Sequence, residues 1–316
     1  MSGTPASLRF AHLSDVHLAP MPPARPGQLA GKRLLGWLSW NLRRHRRHRR
    51  EVLDAIRDEL RAQPPDHVLV TGDLINISLP EEYARAAAWL AELGSPDRVS
   101  LVPGNHDAYV AGAADRGWPY WAAWMRGDES AAATFPYLRR RGFAAIIGLS
   151  TAVPTAPGYA SGRLGAVQLA ALRALLRDLA GEGLFRIVLL HHPPLPVSRP
   201  RKALLDREAF CEVIRRAGAE LVLSGHEHRF HEGMLEGAEG PVPCFVVPSA
   251  SLASNDAEKR GGYLRFGIGR QREGWRLEVR LRRYRVDRAA LVETCARELV
   301  LARPLAGADC PTGSAS

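Results

Sequence analysis

The sequence predicts an α/β protein with its functional loops at one edge of a sheet. Three observations carry that class. Short apolar runs recur along the chain, and several end in loops of histidine, aspartate or asparagine. Segments with leucine, isoleucine or valine at helical spacing separate many of these runs. Hydrophobic residues make up 46% of the 316 positions, enough for a sizeable core. Strand, polar loop and helix in repetition place helices on a sheet and active loops beyond the strand ends.

The elements follow in order. Residues 8–14 alternate apolar and polar like a strand and run into Asp15-Val16-His17. The Asp15 and His17 side chains, two apart on an extended backbone, face the same side. His12 lies within the strand and reads as a packed or surface residue rather than a ligand. Residues 18–31, rich in proline, glycine and alanine, read as a loop. A basic segment, 32–50, follows. Val52, Leu53, Ile56 and Leu60 mark a helix closed by Pro64-Pro65. Residues 67–70 are a buried strand followed by Thr71-Gly72-Asp73. A helix over 81–93 is opened by Pro80 and closed by Gly94. The strand 99–102 ends at Pro103-Gly104 and delivers Asn105, His106 and Asp107 together.

Trp118, Trp121 and Trp124, spaced by three, predict a helix with its tryptophans in the core. Residues 144–149 form a strand, and Leu172, Leu175, Leu176 and Leu179 mark a helix covering the sheet. The strand 186–190 runs into His191-His192-Pro193-Pro194. A helix over 206–217 stops at Gly218. The strand 220–223 runs into Gly225-His226-Glu227-His228. Strands at 245–247, 263–268 and 275–283 make the second half β-rich, and 289–300 is expected to be a last helix. One domain over 1–303 and a disordered tail over 304–316 complete the expectation.

Charge and cysteine narrow the class. The net charge is +10, but Lys32, Arg33, Arg43, Arg44, Arg46, Arg47, Arg49 and Arg50 supply eight of the 43 basic residues. The remaining 35 Lys and Arg nearly balance the 33 Asp and Glu. The basic character therefore belongs to one segment of an otherwise neutral globule. No apolar run approaches bilayer length, and residues 1–8 lack a signal-peptide pattern. Cys211, Cys244, Cys295 and Cys310 form no CxxC pair and read as reduced thiols of a cytoplasmic protein.

The candidate chemistry lies in five loops: Asp15/His17, Asp73, Asn105/His106, His191/His192 and His226/His228. Imidazole, carboxylate and amide oxygen without thiolate suit hard or borderline divalent metals. Seven ligands exceed one open catalytic site and suit two metals sharing a ligand. Asp73 is the natural bridge, because a carboxylate has two oxygens and its loop offers no other ligand. Two metals about 3.5–4 Å apart can clamp an in-line phosphoryl displacement. Only one of His191 and His192 should reach a metal, since neighbouring strand residues face opposite ways. Glu227, between two candidate ligands, is expected to point away, and His231 reads as a surface residue.

In this order, Asp15-x-His17, Gly72-Asp73, Gly104-Asn105-His106-Asp107, His191 and Gly225-His226-x-His228 resemble the signature of the calcineurin-like metallophosphoesterases over residues 8–230. His-His-Pro-Pro with Gly-His-x-His is similar to the class III cyclic-nucleotide phosphodiesterases and glycerophosphodiesterases. The resemblance implies a four-layer αββα sandwich, with the β-rich C-terminal half as its second sheet. It implies that Asp15, His17, Asp73 and His228 hold one metal, and Asp73, Asn105, His191 and His226 the other. Mn, Fe and Zn head the candidate metals. His106 would face the scissile ester, stabilise charge and protonate the leaving oxygen, and Asp107 would orient an imidazole. Gly72-Asp73-Leu-Ile-Asn lacks the GDxxDRG continuation of the protein phosphatases, which argues against a phosphoprotein substrate.

The implied function is hydrolysis of a phosphodiester or pyrophosphate bond in a small or lipid-linked substrate. The competing readings are a nuclease using the arginine run on nucleic-acid phosphates and a non-catalytic scaffold, disfavoured because every ligand is present. Leu34, Leu38 and Leu42 share a helical face with Leu35 nearby, and Trp37 and Trp40 flank it. Lys32 to Arg50 therefore reads as an insert for peripheral contact with an anionic membrane, tryptophans at headgroup depth. The bland alternative is a basic helix whose leucines pack on the domain.

Overall fold

The computed structural model describes residues 7–272 and 274–302. The expected tail lies outside the described residues. In chain order the strands are Ser7–Leu13 (β1), His67–Val70 (β2), Val99–Leu101 (β3), Tyr137–Arg141 (β4), Ala144–Gly148 (β5), Phe185–Leu189 (β6), Leu221–Ser224 (β7), His231–Leu235 (β8), Val242–Val246 (β9), Gly262–Gln271 (β10), Gly274–Arg285 (β11) and Ala290–Ala302 (β12). The helices are Lys32–Leu42 (α1), Arg50–Ala62 (α2), Pro80–Leu93 (α3), Ala113–Gly117 (α4), Ala166–Ala180 (α5) and Arg207–Ala217 (α6).

The strands form two six-stranded sheets, ordered β12-β11-β10-β1-β2-β3 and β4-β5-β6-β7-β9-β8. Phe10, Leu69, Phe266 and Trp275 of the first meet Ile146, Ile187, Leu223 and Phe245 of the second in a core between the sheets. In β1 the alternation is visible: Leu8 and Phe10 join that core, whereas Ala11 and Leu13 face outward onto α2 and α3. Val52, Leu53, Ile56 and Leu60 are the buried stripe of α2, and Tyr83, Ala86, Trp89 and Leu90 that of α3. Helices α5 and α6 cover the other sheet through Leu172, Leu176, Phe210 and Ile214. The result is the four-layer αββα sandwich.

Strands β1, β2 and β3 are mutually parallel, as are β5, β6, β7 and β9. Buried on both faces, they need near-continuous apolar sequence, which is what residues 67–70 and 186–190 carry.

Three expectations are corrected. The C-terminal strands do not form the second sheet: β10 pairs antiparallel with β1, so the first and last thirds of the chain share one sheet. Residues 289–300 are not a helix: β12 pairs with β11 along nearly its whole length. Ala, Leu, Glu and Arg favour helix, but pairing to a long neighbour overrides that propensity. A register shift at Leu281/Arg282 turns the strand, so Leu291 packs outside while Cys295, Leu299 and Leu301 face the inter-sheet core. The tryptophan stripe is core, but on two single 3-10 turns, with Trp121 between them, rather than one helix; Trp121 is buried and Trp118 and Trp124 half-buried.

Candidate metal centre

The loops after β1, β2, β3, β6 and β7 converge. Their conformation is unusual: Asp15, His17, Asp73, His226 and His228 all have positive φ, from 39° to 73°. Non-glycine residues rarely adopt that region. Backbone bonds tie the loops in pairs: Asp15 N donates to Gly72 O and His17 N to Asp73 O. Asp107 holds the turn between β2 and β3, its carboxylate accepting from the backbone N–H groups of Asp73, Leu74 and Gly104 at 2.8–2.9 Å. Gly104 is dictated by close approach, because a Cβ there would overlap Asp73 Oδ1 and meet His191 Cε1 at 2.8 Å.

Among the described residues three groups of side chains could hold cations: the all-imidazole set His17, His48 and His228, and two carboxylate-bearing sets, Asp15, His17, Asp73 and His228, and Asp73, His191 and His226. Asp73 belongs to both. His17 Nδ1 lies 3.2 Å from the Ile75 carbonyl, and His191 Nδ1 lies 2.6 Å from the Thr71 carbonyl. Those carbonyls require protons on Nδ1, which turns each Nε2 toward the cluster as the nitrogen that could ligate a cation. His17 Nε2 then faces His228 Nε2 at 3.1 Å. His191 Nε2 lies 3.4 Å from Asp73 Oδ2 and 3.2 Å from Asn105 Oδ1. Asp15 Oδ1 and His226 Nε2 are buried without hydrogen bonds. Converging ring nitrogens and carboxylate oxygens fit metal cations. Burial opposes a charged ring at His191, yet the Asp73 carboxylate raises its pKa to about 9, so without a cation Nε2 carries a proton toward Asp73, and a metal would take that proton's place.

His192, His12 and Asp107 do not join the cluster. His192 turns to Thr151 Oγ1 at 2.7 Å and the Ala160 carbonyl at 3.1 Å. His12 is buried against Thr71 Oγ1, and His231 is half-buried at the start of β8. Glu227 departs from expectation: Ser198 Oγ holds its carboxylate, and Oε1 stays 3.9 Å from His226 Nε2 instead of pointing away. His106 donates its backbone N–H to Asp73 Oδ1, and its Nδ1 meets the Asn76 carbonyl. Burial lowers its pKa to about 3, so the ring is neutral. Its face stacks on Tyr109, centroids 5.2 Å apart.

The basic insert supplies residues that sequence reasoning missed. Arg44 Nη2 sits 3.0 Å from His17 Nδ1. His48 is buried, with Nδ1 2.8 Å from Ser251 Oγ and its ring 4.7 Å from that of His17. Arg49 N donates to Ser251 O, and Ala253 N to Arg47 O, pinning the end of the insert beside the loops. In a run of arginines and histidines, no spacing marks these two. Trp40 is buried, stacks on His48 and lies under the Arg44 guanidinium, so it is no headgroup anchor. Trp37 is half-buried against Ile77 and Tyr109. The leucines do not pack on the domain: Leu34, Leu35, Leu38 and Leu42 are 39–67% exposed.

A cavity of about 430 Å3 opens over the cluster, lined by Lys32, Leu35, Arg44, Tyr109, Lys202 and His228 among others. Its size suits a small organic ligand, for which sites run to roughly 300–1,000 Å3.

Residues 8–230 match the Calcineurin-like phosphoesterase family model, and the chain belongs to that family. It is 27% identical over 258 residues to a "Probable cyclic nucleotide phosphodiesterase" of Rhodococcus erythropolis, covering 80% of this chain and 74% of that one. It is 31% identical over 178 residues to the "Glycerophosphodiester phosphodiesterase GpdQ" of Enterobacter lignolyticus, covering 52% of this chain and 56% of that one. Among solved structures, a dimetal phosphatase from Danio rerio superposes with TM-score 0.59 at 15% identity, over 93% of this chain and 98% of that one. A purple acid phosphatase from yellow lupin gives 0.63 at 12% identity, over 93% and 54%. These likenesses establish the metallo-dependent phosphatase fold, and membership of the family makes this chain a phosphoesterase-type hydrolase.

Proposed function

We propose that this chain is a binuclear-metal phosphodiesterase acting on a phosphodiester or pyrophosphate bond of a small or lipid-linked substrate. The observation that carries the reading is the shared Asp73 carboxylate, flanked by imidazole nitrogens that crowd each other or an acceptor oxygen at 3.1–3.2 Å. Asp15, His17, Asp73 and His228 would hold one metal, and Asp73, Asn105, His191 and His226 the other; Mn, Fe and Zn all accept these donors. Such a pair supplies a nucleophile at neutral pH and neutralises phosphate charge.

The chain's own groups do the rest. Thr71 and Ile75 carbonyls fix the tautomers of His191 and His17. Asp107 holds the Asp73 and Asn105 loops in register. His106, anchored through Nδ1 to the Asn76 carbonyl, can stabilise charge on the departing oxygen through Nε2 only as the imidazolium, which burial opposes and the Asp73 carboxylate and an arriving phosphate would favour. The names of the relatives support a phosphodiester substrate. Elemental analysis with a chromogenic phosphodiester tests this. Two metals per chain and turnover abolished by chelation are expected; full activity with one metal or none would refute it.

The exposed leucines of α1 favour a peripheral seat on an anionic membrane at the cytoplasmic face. Arg43, Arg46, Arg47 and Arg49 are exposed directly after them, complementary to acidic headgroups. No helix among the described residues is long and apolar enough to cross a bilayer. Co-sedimentation with acidic vesicles at low salt should succeed and fall at least about tenfold in Leu34→Glu/Leu38→Glu, given roughly 1.5–3 kcal/mol per buried leucine. Pelleting unchanged by that double variant, or transferred to salt-sensitive DNA binding, would count against the membrane.

A further inference from the structure

Arg44 makes no ion pair among the described residues, although Asp73, Glu82 and Asp15 favour its charge from a distance. It is half-buried beside the metal loops, yet no carboxylate or carbonyl accepts from its guanidinium among the described residues. Its polar neighbour is His17 Nδ1, whose proton is already committed to the Ile75 carbonyl. That nitrogen has no lone pair to offer Arg44. The remaining contact is the face of Trp40, 5.8 Å from the guanidinium carbon.

Lys32 repeats the pattern. Its Nζ donates to Thr155 Oγ1 at 2.8 Å and lies 4.5 Å above the Tyr109 ring; among the described residues no carboxylate is within ion-pair distance, and Asp73 favours its charge only from farther off. Both cations line the cavity over the metal cluster, as does Lys202, whose charge acts on His226. The position is built. Arg33 donates to the Ile77 and Ser78 carbonyls and anchors the start of α1. Gly36 lets the helix press onto the Tyr109 hydroxyl, where a Cβ would come within 2.6 Å. The bridge of His48 to Leu252 fixes the other end.

A lone phosphodiester carries a single negative charge, which the metals would already oppose. Further cations facing the same cavity call for more negative charge than that. We propose that Arg44 and Lys32, with Lys202 on the His226 side, form a second anion subsite that takes a phosphate next to the scissile one. The substrate class is then a diphosphate diester or a diester bearing a neighbouring phosphomonoester. This rests on the metallophosphodiesterase reading for its chemistry, but not for its binding. Arginine supplies the planar fork that suits a phosphate, and lysine a point charge.

The test separates the two. Metal-loaded protein is titrated calorimetrically with methylenebisphosphonate and with methylphosphonate. The bisphosphonate should bind ~10–100-fold tighter, the worth of a charged hydrogen-bonding pair. Arg44→Gln should remove most of that ratio with metal content unchanged, Arg44→Lys should keep part of it, and Lys32→Gln should lower it independently. Equal affinities in the wild type, a ratio unchanged in both glutamine variants, or metal loss in Arg44→Gln would overturn the subsite. In turnover, preference for a diphosphate diester over a simple diester, reduced in Arg44→Gln, identifies the anhydride. Preference for a diester with a distal phosphomonoester identifies the second source. Retained bisphosphonate selectivity without turnover of any ester would leave the subsite standing and refute the hydrolase.

Discussion

The two walls of the cleft are built on opposite principles. The metal loops are buried, saturated with backbone hydrogen bonds and held in left-handed conformations at the ends of parallel strands. The insert facing them carries exposed leucines and cations that make no ion pair among the described residues. One wall satisfies its backbone and turns its unpaired side-chain atoms inward on one another; the other leaves groups open toward a partner. The difference separates reaction chemistry, which needs a fixed geometry, from recognition, which needs unsatisfied groups pointing outward.

The sharpest way to break that division is at Asp73. Asp73→Ala should remove the carboxylate shared by both clusters, empty both in elemental analysis and cost more than about 10³-fold in kcat. A variant that kept both metals and its activity would show that the clusters do not depend on each other. Next is His106→Ala, which should keep its metals and lose about 10²–10⁴-fold in rate. The loss should shrink along a series of better leaving groups; a uniform loss would give His106 a role in binding instead. The smallest effect tests whether the walls are coupled. In Gly36→Val the added atoms would meet Ile77 Cγ2 and the Tyr109 hydroxyl at 2.5–2.6 Å. Such overpacking costs about 1–3 kcal/mol. Thermal unfolding should show that loss, while metal content stays unchanged and KM rises. An unchanged KM would mean that the position of α1 does not matter to the substrate.

The first wall was legible because its information is local. Each metal loop follows an apolar run, and the spacing of Asp15/His17 or His226/His228 is a property of a few adjacent residues. Strand geometry allowed only one of His191 and His192, and the family resemblance picked the first: one imidazole reaches Asp73 and the other turns to Thr151. The second wall was not legible. Arg44 and His48 look like every other residue in a run of basic side chains until the 249–253 loop pins them in place. The leucine stripe could be read as a helix face, but not which way it turns. Trp40 was misplaced for the same reason. Strand β12 was misread because its partner, β11, decides its conformation, and composition alone favoured a helix.

The left-handed backbone of the metal loops has a further consequence. Residues held in such conformations cost of order 1–3 kcal/mol each. With five of them in one site, the sum rivals the roughly 5–15 kcal/mol by which a typical domain is stable at all. Any cation that binds these loops only when they are folded adds to stability in proportion to the logarithm of its concentration. With the proposed metals bound there, the lifetime of the chain would be linked to their supply. Scarcity would remove the protein through unfolding and proteolysis as well as silence it.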